Sequence, residues 1–426
     1  MGRREFYVAV PLALSLGFLL GVVIHPFLVS TTLPGLQTPL KPPVEIRIGA
    51  TVSLTGPFAG DVGVFDKIMH SFADLVNRRG GIFIKELGQR VPIKFIIYDD
   101  ASDTVTAIKF YEKLITEDKV HLLLGPFSSK LTLAVGPVVE KHGVPIIWTA
   151  AQAPAVYRQG WKYAVGVLDE RPTAWGEPYF VNVLAPLVEK GDIKTIALIH
   201  DDTPHSLSVN EGAKILSERI GLKVVFEEKI PFGHTDFSGI LAKLRRIKPD
   251  IIHFKADSPP SGVAFVRQLK EVNLSPKALY FAEPVPGVLE PLGRDADYLV
   301  GATYTVLGVF QGPFGDLSFL AELAKTANVE LERWPWFGIY YPAMQAAISA
   351  LEASDSLKPD DILRALKNLH IMTISGPLRF DEARGFAGTL RPLTVQIFNG
   401  KYLVIAPPEF AKASYVHPFK PWDARG

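Results

Sequence analysis

From Val44 onward, apolar runs of strand length alternate with amphipathic stretches of helix length, and this alternation restricts the chain to few folds. Ile46 to Ser53, Val91 to Tyr98, His121 to Leu124 and Pro145 to Trp148 read as strands. Val64 to Arg78, Val105 to Glu117 and Leu131 to His142 read as the helices between them. Strands that run parallel need a long crossover, usually a helix, so the succession predicts βαβ units. The pattern breaks at Gly160 to Thr173 and then restarts. Strands are predicted at Thr195 to His200, Lys223 to Ile230, Ile251 to Lys255 and Lys277 to Phe281, with helices at Ser206 to Ile220, Phe237 to Ile247 and Ser261 to Val272. The chain has 426 residues, and at about 150 residues per domain two α/β lobes, each doubly wound around a parallel sheet, fit better than one sheet. Leu299 to Ile405 adds a strand at Leu299 to Thr305, helices at Ile339 to Leu351 and Pro359 to Asn368, and strands ending in Leu393 to Ile405. These are too few for a third lobe and are expected to complete the first two.

The N-terminus is a separate region. Arg3 and Arg4 precede an apolar run from Phe6 to Val29, the layout of an export signal. Its core, Val8 to Ile24, is about 17 residues, near the lower limit for spanning a bilayer. No small-x-small cleavage site follows it, so an uncleaved anchor is expected, with 30–43, rich in Pro and Thr, as a tether. Lys+Arg number 45 against 44 Asp+Glu, so the bulk charge of +1 gives no footing for nucleic acid. The cysteine count is zero, which excludes disulfides, thiolate metal sites and thiol catalysis.

Enzyme signatures are missing. The first strand leads into Leu54-Thr55-Gly56-Pro57-Phe58-Ala59-Gly60, where a proline would block close approach of a pyrophosphate. There is no P-loop, H-E-x-x-H or G-x-S-x-G pattern. His200 and His205 stand too far apart in a loop to argue for a metal, and none is expected. Asp99, Asp100 and Asp103 follow a strand; a helix cap at Asp103 is the simpler reading than cation binding. Trp334, Trp336, Tyr340 and Tyr341 fit either a ligand wall or core.

The sharpest local signal is a pair of small-residue loops, Gly125-Pro126-Phe127-Ser128-Ser129 and Thr149-Ala150-Ala151-Gln152-Ala153-Pro154, each after an apolar strand. In open α/β sheets ligands bind at the carboxyl ends of strands, where exposed N–H groups and a helix N-terminus favour an anion.

With these loops the sequence resembles the periplasmic amino-acid binding proteins of ABC transporters, leucine/isoleucine/valine-binding family, type I periplasmic-binding-protein fold. The ordered matches include Ile48-Gly49-Ala50 to Thr55-Gly56-Pro57, Asn77-Arg78-Arg79-Gly80-Gly81-Ile82, Tyr98-Asp99-Asp100, Gly143-Val144-Pro145, Ile199-His200-Asp201, Asp236-Phe237-Ser238, Lys248-Pro249-Asp250 and Gly376-Pro377-Leu378-Arg379-Phe380-Asp381. The resemblance implies two Rossmann-like lobes joined by a three-crossover hinge, with crossings near Leu168, Leu307 and Ser375. Residues 1–29 would then be signal or anchor, 44–168 plus 308–375 the first lobe, 169–307 plus 376–405 the second, and 406–426 an extended tail. It also implies an α-carboxylate site at Ser129, Ala150 and Gln152. In the second lobe His205 and Asp257 stand at positions of family tyrosines, and Glu283 falls near the family's ammonium-binding acid. Since a lone acid in a closed cleft would be costly, at least one of Asp257 and Glu283 is expected to couple to a ligand amine.

The function this implies is an extracytoplasmic, membrane-tethered solute-binding protein. It would deliver an amino acid or related small amide or acid to an ABC permease, without cofactor or covalent chemistry. A receptor ectodomain of the same fold is the alternative, and an α/β enzyme a more distant one.

Overall fold

The computed structural model describes residues 44–425, so the expected anchor and tether lie outside the described residues. Five strands form the first sheet: β1 (Ile46–Val52), β2 (Ile93–Asp99), β3 (Leu122–Leu124), β4 (Ile146–Trp148) and β5 (Ala164–Gly166). Their order is β2-β1-β3-β4-β5, and every pairing is parallel. β3 is three leucines with no solvent exposure, as expected of a strand covered on both faces. The predicted run from Val91 to Tyr98 is divided at Pro92, with Gln89–Val91 pairing instead with Ile82–Ile84 in a small ribbon. Proline lacks the N–H that a continuous ladder requires.

The second sheet comprises β6 (Thr195–Asp201), β7 (Lys223–Ile230), β8 (Ile251–Lys255), β9 (Ala278–Phe281), β10 (Val300–Thr303), β11 (Leu393–Phe398) and β12 (Lys401–Ala406). Its order is β12-β11-β10-β9-β8-β6-β7, parallel except for the antiparallel additions of β11 and β12. The late strands therefore extend the second sheet. The helix Phe337–Ala353 instead packs against β3 and β4 of the first, and it is buried nearly all round, from Phe337 through Leu351. This answers the question left open for its aromatics. Tyr340 stacks on Phe65 with centroids 4.2 Å apart, and Tyr341 meets Phe72 edge-on, so both are core. Trp336 faces the cleft between the sheets.

The acidic cluster after β2 is structural. Asp103 accepts from Thr106 N at 2.8 Å and caps the helix Thr104–Thr116. Asp100, fully buried, accepts from Thr51 Oγ1 and Ser53 Oγ, both at 2.6 Å.

Three stretches carry the chain between the sheets. Leu168 forms a parallel bridge with Leu390, and Thr305 Oγ1 accepts from Gly338 N at 2.9 Å. The third passage differs from the expected one near Ser375. Phe386 O still accepts from Gly166 N beside the first sheet, at 3.0 Å, and β11 begins only at Leu393, so the passage lies at 388–392. The ribbon His370–Thr373 with Gly376–Arg379 masks this, because it adds a hairpin before the crossing. The tail also departs from the expected extended form. It is irregular but docked: Phe419 N donates to Lys277 O at 2.7 Å, Trp422 Nε1 donates to Leu274 O at 2.9 Å, and both rings are buried. Among the described residues no helix is long and apolar enough to cross a membrane.

Candidate functional site

The carboxyl ends of β3 and β4 project the two small-residue loops into the cleft. Gly125 permits this convergence, since a Cβ there would lie 2.8 Å from the Trp148 ring. Thr149 Oγ1 donates to Gly125 O at 2.8 Å and ties the loops together. A second tie comes from Ser129, whose Oγ accepts from Gln152 N at 3.1 Å and Ala153 N at 3.0 Å. Ser129 is completely buried behind the loop, and Ser128 takes its place at the cavity wall. The two bonds that Ser129 Oγ accepts orient the neighbouring backbone, while its own O–H is given to no acceptor among the described residues.

Ala150, Gln152, His205, Asp257 and Glu283 do line one small cavity of about 20 Å³, with Phe127, Trp175, Tyr304 and Trp336 around it. A larger groove of about 930 Å³ opens elsewhere, behind the crossings near Phe310 and Met372, and does not bring the two sets of loops together.

The second-lobe wall is built from the ends of β6, β8 and β9. Asp201, at the end of β6, accepts from Asp257 N at 2.7 Å, and its Oδ1 lies 2.8 Å from Thr203 Oγ1. Thr203 Oγ1 lies 2.6 Å from Asp257 Oδ2. The sequence reading missed the most consequential residue, Lys255. Its side chain is fully buried at the end of β8, and Nζ donates both to Asp257 Oδ1 and, at 2.6 Å, to Glu283 Oε1. The signal was available: alternation along a strand puts 253, 255 and 257 on one face, so a lysine ending the run Ile251-Ile252-His253-Phe254 must point where Asp257 points. The two acids therefore have a cationic partner within the protein.

His205 completes the cluster. Nδ1 lies 3.3 Å from Asp257 Oδ1 and 3.4 Å from Glu283 Oε1, and Nε2 lies 3.0 Å from Gln152 Oε1 in the first lobe. This is a direct bridge across the cleft.

The electrostatics follow from burial and proximity. Burial pushes Glu283 up to about 8, with Lys255 acting against it and the Asp257 charge reinforcing it. Burial also opposes ionisation of Asp257, but Lys255 and then His205 outweigh it and hold that carboxyl well below its usual range. Burial and then the Lys255 charge depress His205. These shifts favour an ammonium–carboxylate pair of Lys255 and Asp257, with Glu283 the more readily protonated acid and His205 the neutral imidazole. His205, Asp257 and Glu283 offer three ligand atoms within 4.8 Å of one another, a possible metal constellation by distance alone. Lys255 Nζ is bonded to the same two carboxylate oxygens, and its charge repels a cation there.

Comparison with known proteins agrees with this layout. The family described as "Periplasmic binding protein" matches residues 45–396. The Leu/Ile/Val-binding protein homolog 1 of Brucella suis biovar 1 is 26% identical over 342 residues, covering 79% of this chain and 86% of that protein. The leucine-, isoleucine-, valine-, threonine-, and alanine-binding protein of Pseudomonas aeruginosa is 25% identical over 343 residues, covering 78% and 85%. Among solved structures, the leucine binding protein LivK of Thermotoga maritima superposes with a TM-score of 0.70 at 18% identity, covering 85% of this chain and 99% of that one. A solute binding protein of an ABC transporter from R. palustris, in complex with benzoate, gives 0.67 at 17%, covering 85% and 96%. Two α/β lobes with a cleft at their strand ends, matched by the family pattern over most of the chain's length, make this chain a member of the periplasmic binding protein family.

Proposed function

We propose that the chain is an extracytoplasmic solute-binding protein of an ABC importer, holding a small amino acid, amide or organic acid in the cleft and presenting it to a permease. The observation that carries this reading is the Gln152–His205 bridge at 3.0 Å, beside a cavity lined from both lobes. A solute taken up between these two walls touches both, and only a solute with higher affinity for the closed arrangement shifts the population toward it. No nucleophile or cofactor loop is invoked; the act is binding and closure. In the first lobe the backbone at Ala150, beside the turn that Ser129 orients, takes the solute's carboxylate.

Small molecules released by denaturing the purified protein, identified by mass spectrometry, test this directly. A panel of amino acids, amides and short acids should also raise the melting temperature, since a hundredfold excess over Kd stabilises by about 2.7 kcal/mol. Stabilisation by sugars or nucleotides alone would reject the solute class.

The apolar run at Phe6 to Val29 supports membrane tethering as part of the same proposal. The mature protein is expected to retain Met1 or a residue close to it and to sediment with membranes. N-terminal sequencing that starts beyond Val29 would show a removed signal instead.

A further inference from the structure

We propose that the solute is an amine-free carboxylic acid with an apolar or aromatic body, because the Lys255 ammonium already fills the position between Asp257 and Glu283 that a ligand ammonium would occupy. This deepens the solute-binding reading and rests on it.

Three observations converge. The first is occupancy. Lys255 Nζ bonds to one oxygen of each acid, and Thr203 Oγ1 donates to the other oxygen of Asp257. Lys255 ends a strand that is hydrogen-bonded on both sides, to β6 and β9, so its Cα is fixed and its side chain has no exposed surface into which to withdraw. The second is charge. Lys255 and Asp257 cancel, and the remaining groups facing them are Glu283, His205, Asp201 and, from the first lobe, Asp61. Burial pushes both Asp201 and Asp61 up, with Asp257 and Glu283 respectively adding to it. An arriving ammonium would add an unbalanced positive charge to a buried site whose own ion pair already cancels, which is costly. A carboxylate lying toward the first-lobe loops needs no balancing group on the far wall. Its charge is met by the positive end of the helix Ser129–His142, whose N-cap Ser128 lines the cavity. The third is the wall itself. Phe127, Trp175, Trp336 and Ile339 offer apolar surface, and Tyr304 OH, nearly buried, meets no hydrogen-bond partner among the described residues. An apolar body ending in oxygen suits these groups; an α-amino acid would have to ionise Asp61 or Glu283, both held up by burial, before its ammonium had a partner.

The test is calorimetric titration of the exhaustively dialysed full chain with matched pairs: leucine against isocaproate, and phenylalanine against hydrocinnamate, with benzoate as an additional probe. The expected result is that the amine-free member of any pair that binds does so at least tenfold more tightly. Lys255→Met should reverse the preference, since the two acids then need an external cation. If this variant fails to fold, the wild-type ratio decides alone. Tighter binding of the amino acid to wild type, or an unchanged ratio in folded Lys255→Met, overturns the proposal. So does recovery of an amine-bearing solute from the native protein, which would leave the solute-binding reading intact. No binding by any probe, together with no released small molecule, would remove both.

Discussion

Asp169→Ala is expected to lower the unfolding free energy by about 3–5 kcal/mol, the range for removing one partner from a buried charge pair. The side chain of Asp169 is only 3% exposed and accepts from three arginines. Arg171 Nη2 lies at 2.6 Å, Arg384 Nη1 at 3.1 Å and Arg391 Nε at 2.7 Å. Arg171 follows the first passage between the sheets, whereas Arg384 precedes the third and Arg391 lies within it. One carboxylate thus pins two of the three hinge segments. Removing it leaves three guanidinium groups crowded together with only Glu170, Glu177 and Asp381 to share. The arginine side chains are 24–45% exposed and can turn toward water, which places the expected loss near the lower end of the range. Denaturant unfolding should show an earlier midpoint with an unchanged slope. A loss below about 1 kcal/mol would mean that the cluster behaves as an ordinary surface network. Asp169→Asn keeps an acceptor for Arg171 but not the charge, and should fall between.

The parts of this molecule that were legible in the sequence are those where a local pattern decides the outcome. The helix at Phe65–Arg78 and the leucine strand Leu122–Leu124 bury their apolar residues wherever the rest of the chain lies, so periodicity finds them. Ala164–Gly166 was illegible because three small residues in a glycine-interrupted stretch carry no period; Gly166 is needed because a Cβ would strike the Tyr157 hydroxyl at 2.1 Å. Tertiary contacts alone decide that position.

The cleft shows the same division. The family resemblance places Ala150, Gln152, His205, Asp257 and Glu283 together, and they do line one cavity because each follows a strand and strand ends of parallel sheets converge. What each contributes there was not legible. The role of Ser129 depends on which way a buried hydroxyl turns, and that of the two acids depends on Lys255, which is separated from Glu283 by 28 positions. Reading Asp257 and Glu283 without the lysine makes them look like an amine site. Reading them with it reverses the preferred charge of the solute.

Closure itself depends on a contact that no motif announces. Gly60, in the short helix Ala59–Val62 of the first lobe, lies against Gly287, in the helix Pro286–Leu292 of the second. A Cβ on Gly60 would come within 2.8 Å of the Gly287 Cα, and one on Gly287 would come equally close to the Gly60 Cα. Neither glycine has the positive φ that would make a side chain strained in itself. The opposing backbone belongs to the other lobe, so a larger residue is relieved by opening the cleft and leaves the folding of either lobe undisturbed. Gly60→Val should therefore wedge the lobes apart, break the Gln152–His205 bridge, and leave the melting temperature of the solute-free protein nearly unchanged. If the closed population falls to about a hundredth, apparent affinity falls about a hundredfold, because Kd scales inversely with the competent fraction. Gly287→Val should act alike, and the double substitution should cost little more than either alone, since both remove the same contact. Titration with the small molecule recovered from the wild-type protein, alongside the radius of gyration from small-angle scattering, measures both consequences. Wild-type affinity in Gly60→Val would show that the lobes close without bringing these two helices together, and the proposed route from solute contact to closure would fail at that step.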